Sequence, residues 1–202
     1  MSKHILNTPL QDEDIRDLRI GDVFYLSGLM ATGRDSAHKR LLLENKPLPL
    51  DLSGHALYHA GPIAQQGDGS WKIISAGPTT SMRMERLEAE FIEATGIKVI
   101  VGKGGMKDKT AEACARLGAV HAVYPGGCGV LAAKQIRQVE AVYWEDLGMP
   151  EAVWVCLIEE FGPLVVTIDT LGNNLFESSK REYSNAKQAA LQVFSQKLNS
   201  TI

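Results

Sequence analysis

Three turns of this chain set cationic side chains beside glycine or threonine, the combination that holds small anions. They are Thr32-Gly33-Arg34-Asp35, with His38 and Arg40 following, Gly77-Pro78-Thr79-Thr80-Ser81-Met82-Arg83, and Val101-Gly102-Lys103-Gly104-Gly105. Periodicity turns helical after Pro78, so Thr79 and Thr80 are expected at a helix start, where free amide N–H groups and the positive dipole end favour negative charge. Arg83 follows Thr79 by one helical turn and its guanidinium can reach the same anion. The alternative is that a threonine only caps the helix and Arg83 faces solvent. The Gly102 turn brings one ammonium and several amides toward a small anion. It is neither a Walker A loop nor G-x-G-x-x-G, because Lys107 stands where the last glycine belongs. In the first turn Asp35 or Ser36 can cap a helix, with Arg40 solvated and His38 a satisfied helical histidine, leaving Arg34 as the candidate anion ligand.

Histidines and cysteines are few, five and three. His55 and His59 share a face at strand spacing but have no third ligand nearby in sequence, so no metal site is expected in this chain. Cys114, Cys128 and Cys156 form no C-x-x-C pair and match no iron-sulfur spacing. Cys114 and Cys156 fall in apolar helical and strand runs and read as core residues. Cys128 sits between glycines at a helix start, where amide N–H groups favour a thiolate.

The elements that must position these turns alternate. Val23 to Leu26 reads as a strand, Ala37 to Glu44 as a helix, and His55 to Ala60 and Trp71 to Ser75 as strands about a Gly67-Asp68-Gly69 turn. Met84, Leu87, Phe91 and Ala94 repeat at helical steps until Gly96. Lys98 to Val101 and Ala119 to Tyr124 are buried-strand patterns, each followed by a glycine turn and a helix, Thr110 to Leu117 and Val130 to Arg137. Strands are expected at Val139 to Trp144, Val153 to Ile158 and Leu164 to Ile168, then an amphipathic helix over Arg181 to Leu198. The pattern predicts an α/β domain with a mixed sheet, or two sheets covered by helices, rather than a purely parallel sheet.

Composition sets the outer limits. The 202 residues carry a net charge of −3 and 45% hydrophobic side chains, enough for one domain with its own core and without the basic field that nucleic acid or an anionic membrane requires. No stretch has the length of a membrane helix, and residues 1–22 lack the apolar centre of a signal peptide, so a cytoplasmic protein is expected.

The three turns in this order, with Met106, Leu147-Gly148-Met149-Pro150-Glu151, Glu160-Phe161-Gly162-Pro163-Leu164 and the run from Asp169 to Leu175, resemble the beta subunit of the class I iron-sulfur hydro-lyases. That family includes two-subunit fumarases and tartrate dehydratases, and the Thr-Thr-Ser-Met-Arg-Met and Leu-Gly-Met-Pro-Glu wording is most similar to the tartrate branch. The resemblance implies a swivelling β/β/α three-layer domain with a mixed sheet, a single unit over residues 1–202 whose core spans about 18–176. It implies an active site shared with an alpha subunit that holds a [4Fe-4S] cluster, in an α2β2 assembly. By similarity Arg34, Arg83 and Lys103 bind substrate carboxylates and Thr79 is the catalytic base. The implied reaction is dehydration of L(+)-tartrate to oxaloacetate, with fumarate/L-malate interconversion as the alternative. Outside the enzyme class, the glycine turns leave open a phosphate- or nucleotide-binding module or a regulatory subunit.

The implied chemistry makes its own demands. Removing water from a 2-hydroxydicarboxylate requires a Lewis acid at the leaving hydroxyl, a base at the adjacent carbon, and cations for two carboxylates and the developing charge. A threonine is a poor base unless its alkoxide is stabilised, and one cation 4 Å away contributes roughly 4 kcal/mol, about three pK units, at an effective dielectric near 20. Arg83, Lys103 and a helix N-terminus acting together are expected to meet that requirement; a Lewis-acid site is not legible in the sequence.

Overall fold

The computed structural model describes residues 4–67 and 69–199. In chain order it comprises β1 (Ile5–Asn7), α1 (Asp12–Ile15), β2 (Val23–Thr32), α2 (Asp35–Leu42), β3 (Ala56–Tyr58), β4 (Ile63–Gly67) and β5 (Ser70–Ser75). A 3-10 turn (Ser81–Arg83) leads to α3 (Glu88–Thr95), β6 (Val99–Gly102), α4 (Asp108–Leu117), β7 (Val120–Val123), α5 (Gly129–Lys134), β8 (Ile136–Tyr143), β9 (Val153–Ile168) and α6 (Leu175–Asn199).

Strand alternation decides the layering. In the parallel strands β3, β6 and β7, one set of side chains (Ala56, Tyr58, Val99, Val101, Val120, Ala122) joins a core with Phe24, Leu26, Phe161 and Val166 of β2 and β9. The opposite set (Leu57, Ile100) joins a second core with Ala37 of α2, Phe91 and Ile92 of α3, and Ala113 and Cys114 of α4. Because both faces are covered, these strands read as continuous apolar runs. Each fully buried Leu, Ile or Phe contributes roughly 1.5–3 kcal/mol to the packing. The result is three layers: helices, parallel strands, and a second β layer.

The sheet is mixed and has seven strands in the order β1-β2-β3-β6-β7-β9-β8. β9 also pairs antiparallel with β2, from Val23↔Val165 to Ala31↔Val155, which closes β2, β3, β6, β7 and β9 into a ring. The β4–β5 hairpin and α5 cover the inner core through Ala64, Ile73, Ala132 and Ala133.

Several boundaries differ from the sequence expectation. β2 continues through Ser27-Gly28 to Thr32 because its ladder with β9 runs on past the glycine. The two strands expected over 153–168 are one, β9, whose pairing with β2 persists at Phe161↔Leu26 across irregularities. β1 and β4 were not anticipated; β4 has one buried residue, Ala64, and its Gln65-Gln66 pair carries no apolar alternation. α5 ends at Lys134 because Ile136 already pairs with β9. α6 starts at Leu175, six residues before the expected Arg181, because the Asn174 side chain accepts the Phe176 and Glu177 amides at 3.1 and 3.3 Å as a helix cap. Among the described residues no helix is long and apolar enough to cross a membrane.

Candidate functional site

The parallel strands end on one side of the sheet, where the three turns follow β2, β3–β5 and β6. Their backbones are stitched together. Ala60 bridges Pro78, and Thr80 bridges Lys103 in parallel register. The Thr79 amide donates to the His59 carbonyl at 2.6 Å, the Lys103 amide to the Thr79 carbonyl at 3.1 Å, and the Ser81 amide to the Lys103 carbonyl at 3.0 Å. These bonds correct one expectation. Thr79 and Thr80 do not begin an α-helix; they form an extended segment paired with the Lys103 turn. α3 starts only at Glu88, after the short 3-10 turn. The Thr79 amide is spent on His59, so the anion-favouring helix N-terminus expected there is replaced by side-chain cations.

Those cations stand on separate turns. Arg83 is half-exposed and pairs with Asp35, Nη2 to Oδ2 at 2.5 Å and Nε to Oδ1 at 3.3 Å, tying the second turn to the first. Arg34 lies 3.2 Å from Glu151, and its Nε is buried with no hydrogen-bond partner among the described residues. Glu151 also accepts the Ser36 amide at 3.0 Å. It thereby supplies from afar the α2 cap expected of Ser36 or Asp35; the N-cap position itself is Arg34. Gly61 must be glycine here, because a Cβ would collide with the Arg34 guanidinium and lie 2.8 Å from the Pro150 carbonyl. Lys103 is exposed and forms no ion pair or side-chain hydrogen bond among the described residues. Thr79 is half-buried beside it in the paired segment. Thus the turns that carry Arg34, Thr79, Arg83 and Lys103 form one joined rim, and two of the three cations already face carboxylates of this chain.

Arg40 is not solvated: it makes a two-pronged pair with Asp146 at 2.7 and 2.6 Å and lies over the Trp144 ring. His55 and His59 do not act together. His55 bonds the Ser53 carbonyl at 2.9 Å, whereas His59 is fully buried.

Beneath the rim lies a buried polar chain that sequence spacing did not reveal. Glu88, His38, His59, Ser81 and His121 are all fully buried. Glu88 Oε2 lies 3.1 Å from Nε2 of both His38 and His59. His38 Nδ1 meets the Arg34 carbonyl at 2.9 Å, and the His38 ring stacks on Phe91 with centroids 4.1 Å apart. Ser81 Oγ bridges His59 Nδ1 and His121 Nε2 at 3.0 Å each. His121 Nδ1 meets Thr167 Oγ1 at 2.5 Å, and that hydroxyl donates to the His121 carbonyl at 3.2 Å.

The proton positions follow from the acceptors. Thr167 spends its proton on a carbonyl, so His121 Nδ1 donates to it. A neutral His121 then accepts the Ser81 proton at Nε2, which leaves Ser81 Oγ to accept from His59 Nδ1. Protonating His121 would set two N–H groups against Ser81 Oγ. Burial, with His59 nearby, pushes the His121 pKa down to about 3. Burial alone would raise the Glu88 carboxyl, but His59 and His38 hold it well below the usual carboxylate range. A signal for this chain did exist: Glu88 interrupts the buried stripe Met84, Phe91, Ile92, Thr95, and His121 interrupts a buried strand. A polar residue at a core position requires partners.

The three cysteines are free and lie on different elements. Cys114 is in the helix-side core and Cys156 in the inner core; burial pushes both thiols up, Cys156 to about 12. Cys128, half-buried, packs against the inner core.

A family profile described as "Fumarase C-terminus" matches residues 2–179. The chain is 51% identical over 185 residues to the L(+)-tartrate dehydratase subunit beta of Escherichia coli (strain K12), covering 92% of each chain. It is 43% identical over 184 residues to the putative L(+)-tartrate dehydratase subunit beta of Methanocaldococcus jannaschii, covering 89% of this chain and 94% of that one. It is 38% identical over 177 residues to a putative fumarate hydratase class I of Geobacillus stearothermophilus, covering 87% of this chain but 34% of that longer protein.

Proposed function

Because this chain belongs to the fumarase C-terminus family and is a hydro-lyase subunit, we propose that it completes, with an alpha subunit, an enzyme that dehydrates L(+)-tartrate to oxaloacetate. The reading is supported by one observation above the rest: three cations and a threonine stand on three turns that are joined by the Thr80–Lys103 bridge and the Arg83–Asp35 pair. A dicarboxylate has two anionic ends. Arg34 and Arg83, held by Glu151 and Asp35, are poised to exchange these carboxylates for those of the substrate, and the exposed Lys103 ammonium, without an ion pair among the described residues, is free to join them.

Thr79 is the base that takes the carbon-bound proton. Loss of water from tartrate gives the enol of oxaloacetate, which becomes the ketone by a proton shift. Among the described residues no α-helix begins at Thr79, so in this chain stabilisation of its alkoxide falls to side-chain cations, one such cation contributing roughly 4 kcal/mol at 4 Å and an effective dielectric near 20.

A class I fumarase-like hydro-lyase implies an iron–sulfur cluster, and the cysteines of this chain do not fit one: two are sealed in different cores and the third lies on another element. We therefore assign the cluster to the alpha subunit, whose existence the "subunit beta" names of the relatives imply, in an α2β2 assembly. Fumarate/L-malate is the second reading, favoured by the 38% identity to a putative class I fumarate hydratase.

Anaerobic co-expression with the alpha subunit, followed by assays on L-tartrate, L-malate and fumarate, tests the proposal. Turnover of L-tartrate with little on L-malate supports it. Efficient turnover of L-malate and fumarate without L-tartrate overturns the substrate, and no hydro-lyase activity from an assembled, cluster-loaded complex overturns the reading.

A further inference from the structure

The buried meeting of His38, His59 and Glu88 lies beneath the proposed carboxylate-binding rim, and its donor atoms are arranged as ligands. Nε2 of both histidines and a Glu88 oxygen lie within 4.8 Å of one another, and all three residues are sealed from solvent. The Arg34 carbonyl only accepts, so His38 Nδ1 carries a proton. Ser81 donates to His121, so His59 Nδ1 also carries one. In the neutral ring each Nε2 therefore presents a lone pair toward the same carboxylate. Two lone pairs and an anion facing one another without water require positive charge between them, either protons on Nε2, the state in which the histidines hold the Glu88 carboxyl low, or a metal ion in their place.

Protons fill that role poorly at one of the two positions. His59 Nε2 lies 3.1 Å from Glu88 Oε2 but has no hydrogen bond, and Glu88 Oε1 is likewise buried without a partner. An ion set off the N-to-O line meets both conditions. Ligands 3.1 Å apart that each lie about 2.05 Å from a zinc ion subtend roughly 98° at the metal, within the range of distorted tetrahedral sites. The free Oε1 offers a further oxygen. The outward N–H of each histidine donates to an oxygen, His38 to a main-chain carbonyl and His59 to a serine hydroxyl, which fixes the tautomer as in known metal-bound histidines.

We propose that His38, His59 and Glu88 bind a divalent transition-metal ion of the zinc class as a structural site beneath the rim. The ion fastens α3, through Glu88, to the Arg34 turn, through His38, and to the Thr79–Ser81 segment, through His59. It joins three elements that sequence separates, independently of which substrate the rim binds and of any cluster in a partner.

The site is enclosed, so the ion enters as the chain folds. The full chain, carrying no histidine tag, is unfolded and refolded with Zn²⁺, with Co²⁺, or with chelator, then freed of loose metal. Roughly one tightly held equivalent of zinc by elemental analysis, visible ligand-field absorption from the cobalt form, and a higher urea midpoint for the zinc form are expected. The Glu88→Gln chain is expected to lose the absorption and the midpoint difference, and a Cys128→Ser control to keep both. The proposal is overturned if the wild-type chain refolds equally stable with chelator and retains no zinc, or if the cobalt absorption survives Glu88→Gln and vanishes with Cys128→Ser. The first result assigns the cluster to protons alone, the second places the metal on a thiol.

Discussion

His121→Gln removes the one group in the buried chain whose neutral state the geometry dictates, and its effect is a change in pH dependence. In the unfolded chain His121 takes up a proton near its ordinary value of 6.5; in the fold it does so only near 3. Between those values the unfolded state binds one proton more than the native state, so stability falls as pH falls, by up to about 1.4 kcal/mol per pH unit. From pH 7 to pH 5 the loss from this residue is about 2 kcal/mol, because half a unit of that interval lies above the unfolded value. That corresponds to roughly 4–8 °C in melting temperature for a chain of this size. Urea midpoints at pH 7, 6 and 5 measure it in wild type and variant. The variant starts less stable, since Ser81 and Thr167 lose an imidazole partner, but the gap narrows as pH falls. Parallel losses in the two proteins between pH 7 and 5 would refute the assignment of a buried neutral His121.

Three further outcomes follow from the geometry. Gly102→Ala drives a methyl into Ser81 Oγ and to 3.2 Å from His59 Nδ1, and is expected to cost about 1–3 kcal/mol, read as a lowered urea midpoint. Lys103→Met is expected to leave the fold intact, because the ammonium makes no hydrogen bond or ion pair among the described residues, and to weaken substrate use by about 1.5–3 kcal/mol, roughly 10- to 150-fold in kcat/KM. Asn174→Ala removes the α6 cap and the bond to the Met106 carbonyl and is expected to cost about 1–2 kcal/mol in a thermal melt.

What was legible in the sequence was local. The apolar runs of β6 and β7, the glycines that stop α3 and α4, and the three cationic turns are each set by neighbours a few residues away, and the structure has all of them. What was not legible depends on distant partners. The closure of β2 by β9 joins residues more than a hundred positions apart, as in Ala31↔Val155. The Thr79–Thr80 segment reads as a helix start because its own residues suit one, but pairing with Lys103 holds it extended. The α2 cap is on Glu151, and the partners of Glu88 are fifty and twenty-nine positions upstream in His38 and His59. In each case a backbone or side-chain group found its partner in three dimensions rather than along the chain.

The central claim is that the rim of Arg34, Thr79, Arg83 and Lys103 is the half of a hydro-lyase site that binds carboxylates and removes the proton. Turnover of L-tartrate by the Thr79→Ala chain assembled with its alpha subunit tests it most directly, with urea midpoint and assembly measured alongside. The hydroxyl of Thr79 makes no structural side-chain bond among the described residues. A fall in kcat of about 10²–10⁴-fold with stability and assembly unchanged is therefore expected. Turnover within a few-fold of wild type, from an equally stable complex, would contradict the claim.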